Sequence, residues 1–166
     1  ITKKIGKLLC KSKKFLALNA QVNASNIGYH TIQKYKNVDC VIINETELRH
    51  ELRDKNGKID TLAKKLARMI NISNLVITRG NSGALLYKAK TKKFFSCPAF
   101  ASKIVDKVGA GDSMLSIVSI LLKLNFKSDV ALFLGSLAAA QSVEEMSNKI
   151  PVNKIKLLKY FSHILK

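Results

Sequence analysis

The sequence has no long apolar run, few acidic residues and only three cysteines, and each shortage removes a class of protein. Its longest apolar stretch, Met114 to Leu122, is interrupted by Ser116 and Ser119 and closed by Lys123. Spanning a bilayer takes about 20 apolar residues, so no membrane partner is expected. No charged-then-apolar leader with a small-residue cleavage site opens the chain, and a cytoplasmic setting is expected. Cys10, Cys40 and Cys97 lie far apart, with no Cys-x-x-Cys pair and no histidine at ligand spacing. That argues against a zinc module or a disulfide framework and for buried or half-buried free thiols in a reducing compartment. The chain opens at Ile1 rather than Met, inside what reads as a helix, which suggests a fragment, though an unusual start codon or processing would look the same.

The acidic shortage is marked: 11 Asp and Glu face 29 Lys and Arg, a net charge of +18. Such a balance suits a binder of nucleic acid or of an anionic membrane. The lysines, however, run from Lys3 to Lys166 among many Asn and Ile residues, which favours a solvated basic surface. The densest cluster is Lys3, Lys4, Lys7, Lys11, Lys13 and Lys14. Phe15 is the one aromatic beside it, too little for a stacking platform. A basic nucleic-acid-binding module stands as an alternative, with nucleic acid not the expected partner.

What is present describes a globular α/β chain. At 166 residues with 47% hydrophobic content, residues 1–166 fit one domain with a sizeable core. Residues 3–13 read as a short basic helix, and Phe15 to Asn19 as a buried strand. Asn19 to Gly28 reads as a loop, and Val38 to Ile43 as a second buried strand. Ile59, Leu62, Ala63, Leu66, Met69 and Ile70 recur at helical spacing and predict an amphipathic helix over 59–71. Leu75 to Thr78 follows as a strand, and Ala84 to Lys88 with Lys92 to Ser96 as a hairpin around Ala89 to Thr91. Helices are predicted at about 110–124, 129–146 and 153–165, the last two opening after the N-cap residues Ser128 and Asn153. The helix at 110–124 is apolar on nearly every side, so a deeply buried position is expected. Strands alternating with helices imply a largely parallel sheet.

The segment Val105-Asp106-Lys107-Val108-Gly109-Ala110-Gly111-Asp112-Ser113 carries the most chemistry. Gly109 and Gly111 permit close backbone approach, and the helix they open directs unpaired N–H groups and a positive dipole end at the turn. That is an anion site suited to a phosphoryl group, and Asp112 in the first helical turn can accept a proton from an attacking hydroxyl. Met114 stands where a dinucleotide fingerprint needs its third glycine, and no Gly-Lys-Ser/Thr follows as in a P-loop. Taken alone, the segment is equally compatible with a glycine-rich turn ahead of a buried helix.

Three segments in order resemble the ribokinase-like, or PfkB, sugar kinases. Asp106 to Asp112 is similar to that family's Asp-Thr-x-Gly-Ala-Gly-Asp signature, with Lys107 in place of Thr. Asn44-Glu45-Thr46-Glu47 resembles its Asn-x-x-Glu element, and Thr78-Arg79-Gly80, with Gly83 beyond, its Thr-x-Gly element. Asn44 to Glu47 alone also reads as a helix start with a capping box. Both Asn44 and Thr78 fall at carboxyl ends of predicted strands, where ligands bind in open α/β sheets. The resemblance implies a ribokinase-like three-layer α/β/α fold with a largely parallel sheet, lacking the amino-terminal half and the β-lid. It implies an ATP-dependent sugar kinase with Asp112 as catalytic base and the backbone of Val108, Gly109, Ala110 and Gly111 as anion hole. Thr78, Gly80, Gly83 and Asn148 would attend the nucleotide, and Asn44 and Glu47 a magnesium ion. Asp106 would sit at a monovalent cation (K+) site, with Lys107 a departure there. Leu18-Asn19-Ala20-Gln21, with Asn23, Gly28, His30 and Tyr35, resembles the heptose-kinase-related branch.

The resemblance covers about the carboxyl-terminal half of the family's usual length, without its sugar-contacting Gly-Gly motif. A sugar or sugar-phosphate substrate is implied, together with a missing amino-terminal half or a homo-oligomer as partner. The alternative within the family is a non-catalytic nucleotide-binding fragment or split-kinase subunit.

Overall fold

Among the described residues, five strands form one sheet in chain order, accompanied by six α-helices. The structure is a computed structural model, and it describes residues 1–19, 31–144 and 151–164. They group into two compact units, residues 1–79 with 85–95 and residues 80–84 with 96–166.

In the first unit, α1 (Lys3–Cys10) is capped by Thr2, whose Oγ1 accepts the Ile5 N–H at 3.3 Å. The chain therefore does not open inside a helix, contrary to the expectation. The helix also stops short of residue 13, because the Ser12 hydroxyl accepts the Lys14 N–H at 3.1 Å and turns the backbone. Strands β1 (Ala17–Asn19), β2 (Val38–Asn44) and β3 (Ile72–Thr78) run parallel. Strand β4 (Ala84–Lys88) follows β3 after residues 79–83 alone, and the Ala89 N–H donates to the Ser73 carbonyl at 3.0 Å. So short a link returns the chain antiparallel, and the same holds for β5 (Lys93–Cys97) beyond the turn at 89–92. The sheet is mixed and mostly parallel.

Strand β2 reads as an unbroken apolar run because both its faces are buried. Val41 and Ile43 join Leu75 and Ile77 of β3 in one core cluster, while the alternate residues Cys40, Ile42 and Val76 are also at most 1% exposed. Helices α2 (Glu45–Leu52) and α3 (Ile59–Ile70) supply Leu48, Leu62, Leu66 and Ile70 to that cluster. The helical spacing over 59–71 is realised with one change. Met69 lies at the flank of the apolar arc and is 38% exposed, and Ala67 is buried instead.

One carboxylate fastens α2 to β3. Glu45 Oε1 accepts from Arg49 Nη2 at 2.7 Å, and Glu45 Oε2 from Arg79 Nε at 2.9 Å. Arg49 Nη1 also donates to the carbonyls of Lys55 and Gly57, closing the turn that leads to α3. Hydrogen bonds from Arg49 and Arg79 hold the Glu45 carboxyl below the usual carboxylate range.

The second unit holds α4 (Ala110–Lys123), α5 (Ser128–Val143) and α6 (Lys154–Ile164). The expectation that α4 is deeply buried is corrected: Met114 and Val118 alone are buried in it, and Ile120 is 57% exposed. These two residues, one turn apart, meet α5 at Gly135. The deeply buried helix is α5, which carries Ala131, Leu132, Leu137, Ala138 and Ala140 inward. Ser128 is not the cap of α5 but its first residue. Its buried hydroxyl makes no hydrogen bond among the described residues, and Lys127 occupies the cap position. Asn153 does cap α6, its Oδ1 accepting from the N–H groups of Ile155 (2.8 Å) and Lys156 (3.2 Å). Phe133 of α5 stands between Phe100 and Phe161, with ring centroids 5.4 and 5.9 Å away.

A Cβ at Gly135 would lie 2.3 Å from Val118 Cγ2 and 3.3 Å from Met114 Cγ. Gly135→Ala is therefore expected to destabilise the chain by about 1–3 kcal/mol, despite the better helix propensity of alanine. Adding Val118→Ala should recover part of that loss in denaturant unfolding, as coupling across one contact. Glu45→Gln should cost about 1 kcal/mol at neutral pH, the pair being partly exposed. Because the folded pKa of Glu45 is lowered, its contribution is present above the unfolded value of about 4.3 and is lost as pH falls through the folded value. The stability gap between parent and Glu45→Gln should thus close on acidification, read by unfolding at a series of pH values.

Candidate functional site

In the first unit, the parallel register sets Asn44, the last residue of β2, directly opposite Thr78, the last residue of β3. Two sequence elements 34 positions apart thus end on one sheet rim, level with each other. Asn44 is also the N-cap of α2: its Oδ1 accepts the Glu47 N–H at 2.8 Å, and Glu47 Oε2 accepts the Asn44 N–H at 2.9 Å. The capping box allowed by the sequence is formed. It uses one acceptor direction on each of the two oxygens. One amide oxygen and one carboxylate suit a hard cation that keeps most of its water, such as magnesium. Among the described residues no group of three or more His, Cys, Asp or Glu gathers into a full protein cage for a metal.

Glu45, Arg49 and Arg79 escaped sequence reasoning as members of this region. Glu45 and Arg79 lie within the two elements themselves, and their ion pair joins one to the other. The Glu45–Arg49 spacing of four was the one signal visible in the sequence.

In the second unit, Gly80 and Gly83 both have positive φ, 54° and 77°, and the Gly83 N–H donates to the Gly80 carbonyl at 3.0 Å. A Cβ on Gly83 would meet the Cys97 carbonyl oxygen at 2.0 Å, so packing alone demands glycine there. Nothing lies within 4 Å of a Cβ built on Gly80.

The loop entering α4 is held by its backbone. The N–H groups of Val105 and Asp106 both donate to the Val143 carbonyl, at 2.8 and 3.2 Å. Asp106 Oδ1 accepts the Val108 N–H at 3.0 Å. Gly109, at φ 83°, is the N-cap of α4, and its carbonyl accepts the Ser113 N–H at 2.9 Å. Gly111 is ordinary helix, so it is Gly109 whose left-handed conformation makes the turn. The N–H groups of Ala110 and Gly111 have no acceptor within the helix, as its geometry requires. Asp112 follows in the same first turn with its residue exposed, and its carbonyl accepts from the Ser116 hydroxyl at 2.9 Å. The turn therefore combines amide donors, a positive helix end and an accessible carboxylate within four residues.

Next to Val143, Glu144 Oε1 accepts from both the N–H and the hydroxyl of Ser102 at 2.9 Å, and Oε2 accepts from the Tyr160 hydroxyl. Burial alone would raise the Glu144 pKa. The hydrogen bonds of Tyr160 and Ser102 and the charge of Lys156 prevail and hold it below the usual range. Sequence reasoning did not single out this residue.

Asn148 lies outside the described residues, as do Ala20, Gln21, Asn23, Gly28 and His30. Leu18 and Asn19 fall in β1, and Tyr35 is buried in the first unit's core. The three cysteines are free, with Cys40 and Cys97 buried and Cys10 half-buried. Burial, with the Asp39 charge added, pushes the Cys40 thiol up to about 12, which leaves it inert. Among the described residues no helix is long and apolar enough to cross a membrane.

Solved structures with similar backbones include phosphofructokinase-2 from Escherichia coli, crystallised with potassium, and ribokinase from Thermotoga maritima. The first superposes with a TM-score of 0.80 at 17% identity, covering 99% of this chain and 53% of that one. The second gives 0.76 at 19% identity, covering 95% and 52%. The fold is thus ribokinase-like α/β. Among curated proteins, the 2-dehydro-3-deoxygalactonokinase of Haloferax volcanii is 30% identical over 106 residues, 64% of this chain and 32% of that protein. The bifunctional protein HldE of Campylobacter concisus is 28% identical over 119 residues, 69% of this chain and 24% of that protein. The chain spans about a third or less of these curated relatives and about half of the solved ones. The model of the pfkB family of carbohydrate kinases matches residues 4–155. With the three motif segments in their order on this fold, the chain belongs to the pfkB carbohydrate kinase family.

Proposed function

We propose that the chain is the nucleotide-binding and catalytic-base portion of an ATP-dependent sugar kinase. The observation that carries the reading is the turn at Gly109, where amide donors at a helix N-terminus stand within the same helical turn as the Asp112 carboxylate. In this reading Asp112 accepts the proton of a sugar hydroxyl as the oxygen–phosphorus bond forms. The bond from the γ-phosphorus to the bridging oxygen breaks, and ADP leaves. The backbone of Val108, Gly109, Ala110 and Gly111 stabilises the charge on the transferring group, which is the main demand of phosphoryl transfer. Here Val108 donates to Asp106, so Asp106 orders that donor, and the Gly109 to Gly111 amides carry most of the load.

Thr78, Gly80 and Gly83 attend the nucleotide phosphates, with Asn148 near the base. Asn44 and Glu47 hold magnesium through their oxygens and its waters, and the ion when bound neutralises phosphate charge. Asp106 serves a monovalent cation such as K+, with Lys107 weakening that site by its own charge. A sugar or sugar phosphate is the acceptor and the setting is cytoplasmic. Because the relatives are about twice as long or more, the 166 residues need a further sugar-binding portion, in the same or another polypeptide, for turnover.

Calorimetric titration of the purified chain with ATP should show binding that depends on magnesium. Glu47→Gln should weaken it by about tenfold with magnesium present and leave it unchanged without, as loss of one charged contact. A folded chain that ignores ATP under both conditions contradicts the reading. Asp112→Asn should keep ATP affinity within a few-fold of the parent. In a form of the kinase that turns over, it should cut sugar phosphorylation by about 10²- to 10⁴-fold. Robust phosphorylation of a sugar by the 166 residues alone would overturn the claim that a further portion is needed.

A further inference from the structure

The loop 102–108 that delivers the chain into the Gly109 turn has little packing of its own. Ile104, Val105 and Val108 are 48%, 45% and 64% exposed, so burial does not fix it. What fixes it is the last turn of α5. The Val143 carbonyl takes the N–H groups of Val105 and Asp106, and the adjacent Glu144 carboxylate takes both donors of Ser102. Four donors from one loop thus converge on two consecutive residues. The second oxygen of Glu144 accepts from Tyr160 of α6, so a second helix sets the orientation of the carboxylate. From there the fastening continues: Asp106, fixed by its N–H, orients the Val108 amide through its side chain, and Gly109 follows.

We propose that Glu144, held by Tyr160, is a positioning residue for the phosphate-binding turn. It fixes Ser102 at the start of the loop whose Val105 and Asp106 N–H groups the neighbouring Val143 carbonyl holds, so that the amides of 109–111 are presented in one arrangement before any ligand arrives. A pre-organised donor set loses less order on binding and stabilises charge better than one assembled around the ligand. The carboxylate is suited to the task. Ionised, it is acceptor-only and serves three donors at once, which a neutral amide cannot do. The proposal rests on the reading of the Gly109 turn as a phosphate site.

The test compares the parent chain with Glu144→Gln and Tyr160→Phe by amide hydrogen exchange without ligand and by calorimetric titration with ATP and magnesium. Glu144→Gln is expected to speed exchange at Ser102, Val105 and Asp106 by about tenfold or more, with protection in the middle of α5 unchanged. It is expected to weaken ATP binding by about tenfold, the loss of a charged hydrogen-bonding partner. Tyr160→Phe should do the same to a smaller extent. Unchanged exchange at the three amides overturns the fastening. Faster exchange with unaltered ATP affinity overturns the positioning role, because the loop is then ordered to no effect on the site. A parent chain that folds but does not bind ATP overturns the functional reading, and the positioning role falls with it. A variant that simply unfolds is told apart by lost protection throughout α5, and Tyr160→Phe then decides on the same two readouts.

Discussion

The register between β2 and β3 is the constraint on which the placement of Asn44 and Thr78 in the first unit depends. A parallel pair slipped by one residue would turn every apolar side chain of β2 to the other face. Both faces are buried, yet each face has its own set of residues, so the register is tightly specified. Asn44 opposite Thr78 follows directly. The Glu45 carboxylate then secures what the register began, bridging Arg49 of its own helix to Arg79 beyond β3. Core packing and one shared carboxylate thus align the Asn-x-x-Glu and Thr-x-Gly elements.

The second unit solves its own positioning problem differently. Helix α4 packs along α5, with Met114 and Val118 buried at Gly135, and leaves Ile120 exposed and its other large apolar residues half-buried. Its amino-terminal end is fixed from the other side, by hydrogen bonds from the preceding loop to Val143 and Glu144. A glycine in the middle of α5 and a carboxylate at its end therefore act on opposite ends of the same problem, which is where the first turn of α4 points.

Much of this was legible in the residues. The period of 3.6 over Ile59 to Ile70 and the turn residues between β4 and β5 led to the right elements, because local periodicity and turn chemistry agree with the tertiary packing there. The motif segments Asn44–Glu47, Thr78–Gly80 and Asp106–Asp112 pointed to the family that the wider comparison shows. The depth of α4 was misread for a physical reason: apolar residues all round a helix do not say which of two neighbouring helices takes the interior. Small residues in α5, Gly135, Ala138 and Ala140 among them, permitted that helix to go deeper. Ser128 was misread as a cap because the residue type is right, yet it is the first helical residue and its buried hydroxyl has no partner among the described residues. Glu144 was invisible because its partners, Ser102 and Tyr160, are 42 and 16 positions away. Such contacts exist only in the fold.

In the proposed kinase, the amide groups at the start of α4 receive phosphate. Amide chemical shifts of the isotope-labelled chain, followed as ATP is added with magnesium, test it residue by residue. The largest changes are expected on Gly109, Ala110 and Gly111, with further changes at Thr78 and Gly80. Shifts confined to the lysine-rich segment around α1, with the Gly109 to Gly111 amides unmoved, would contradict it.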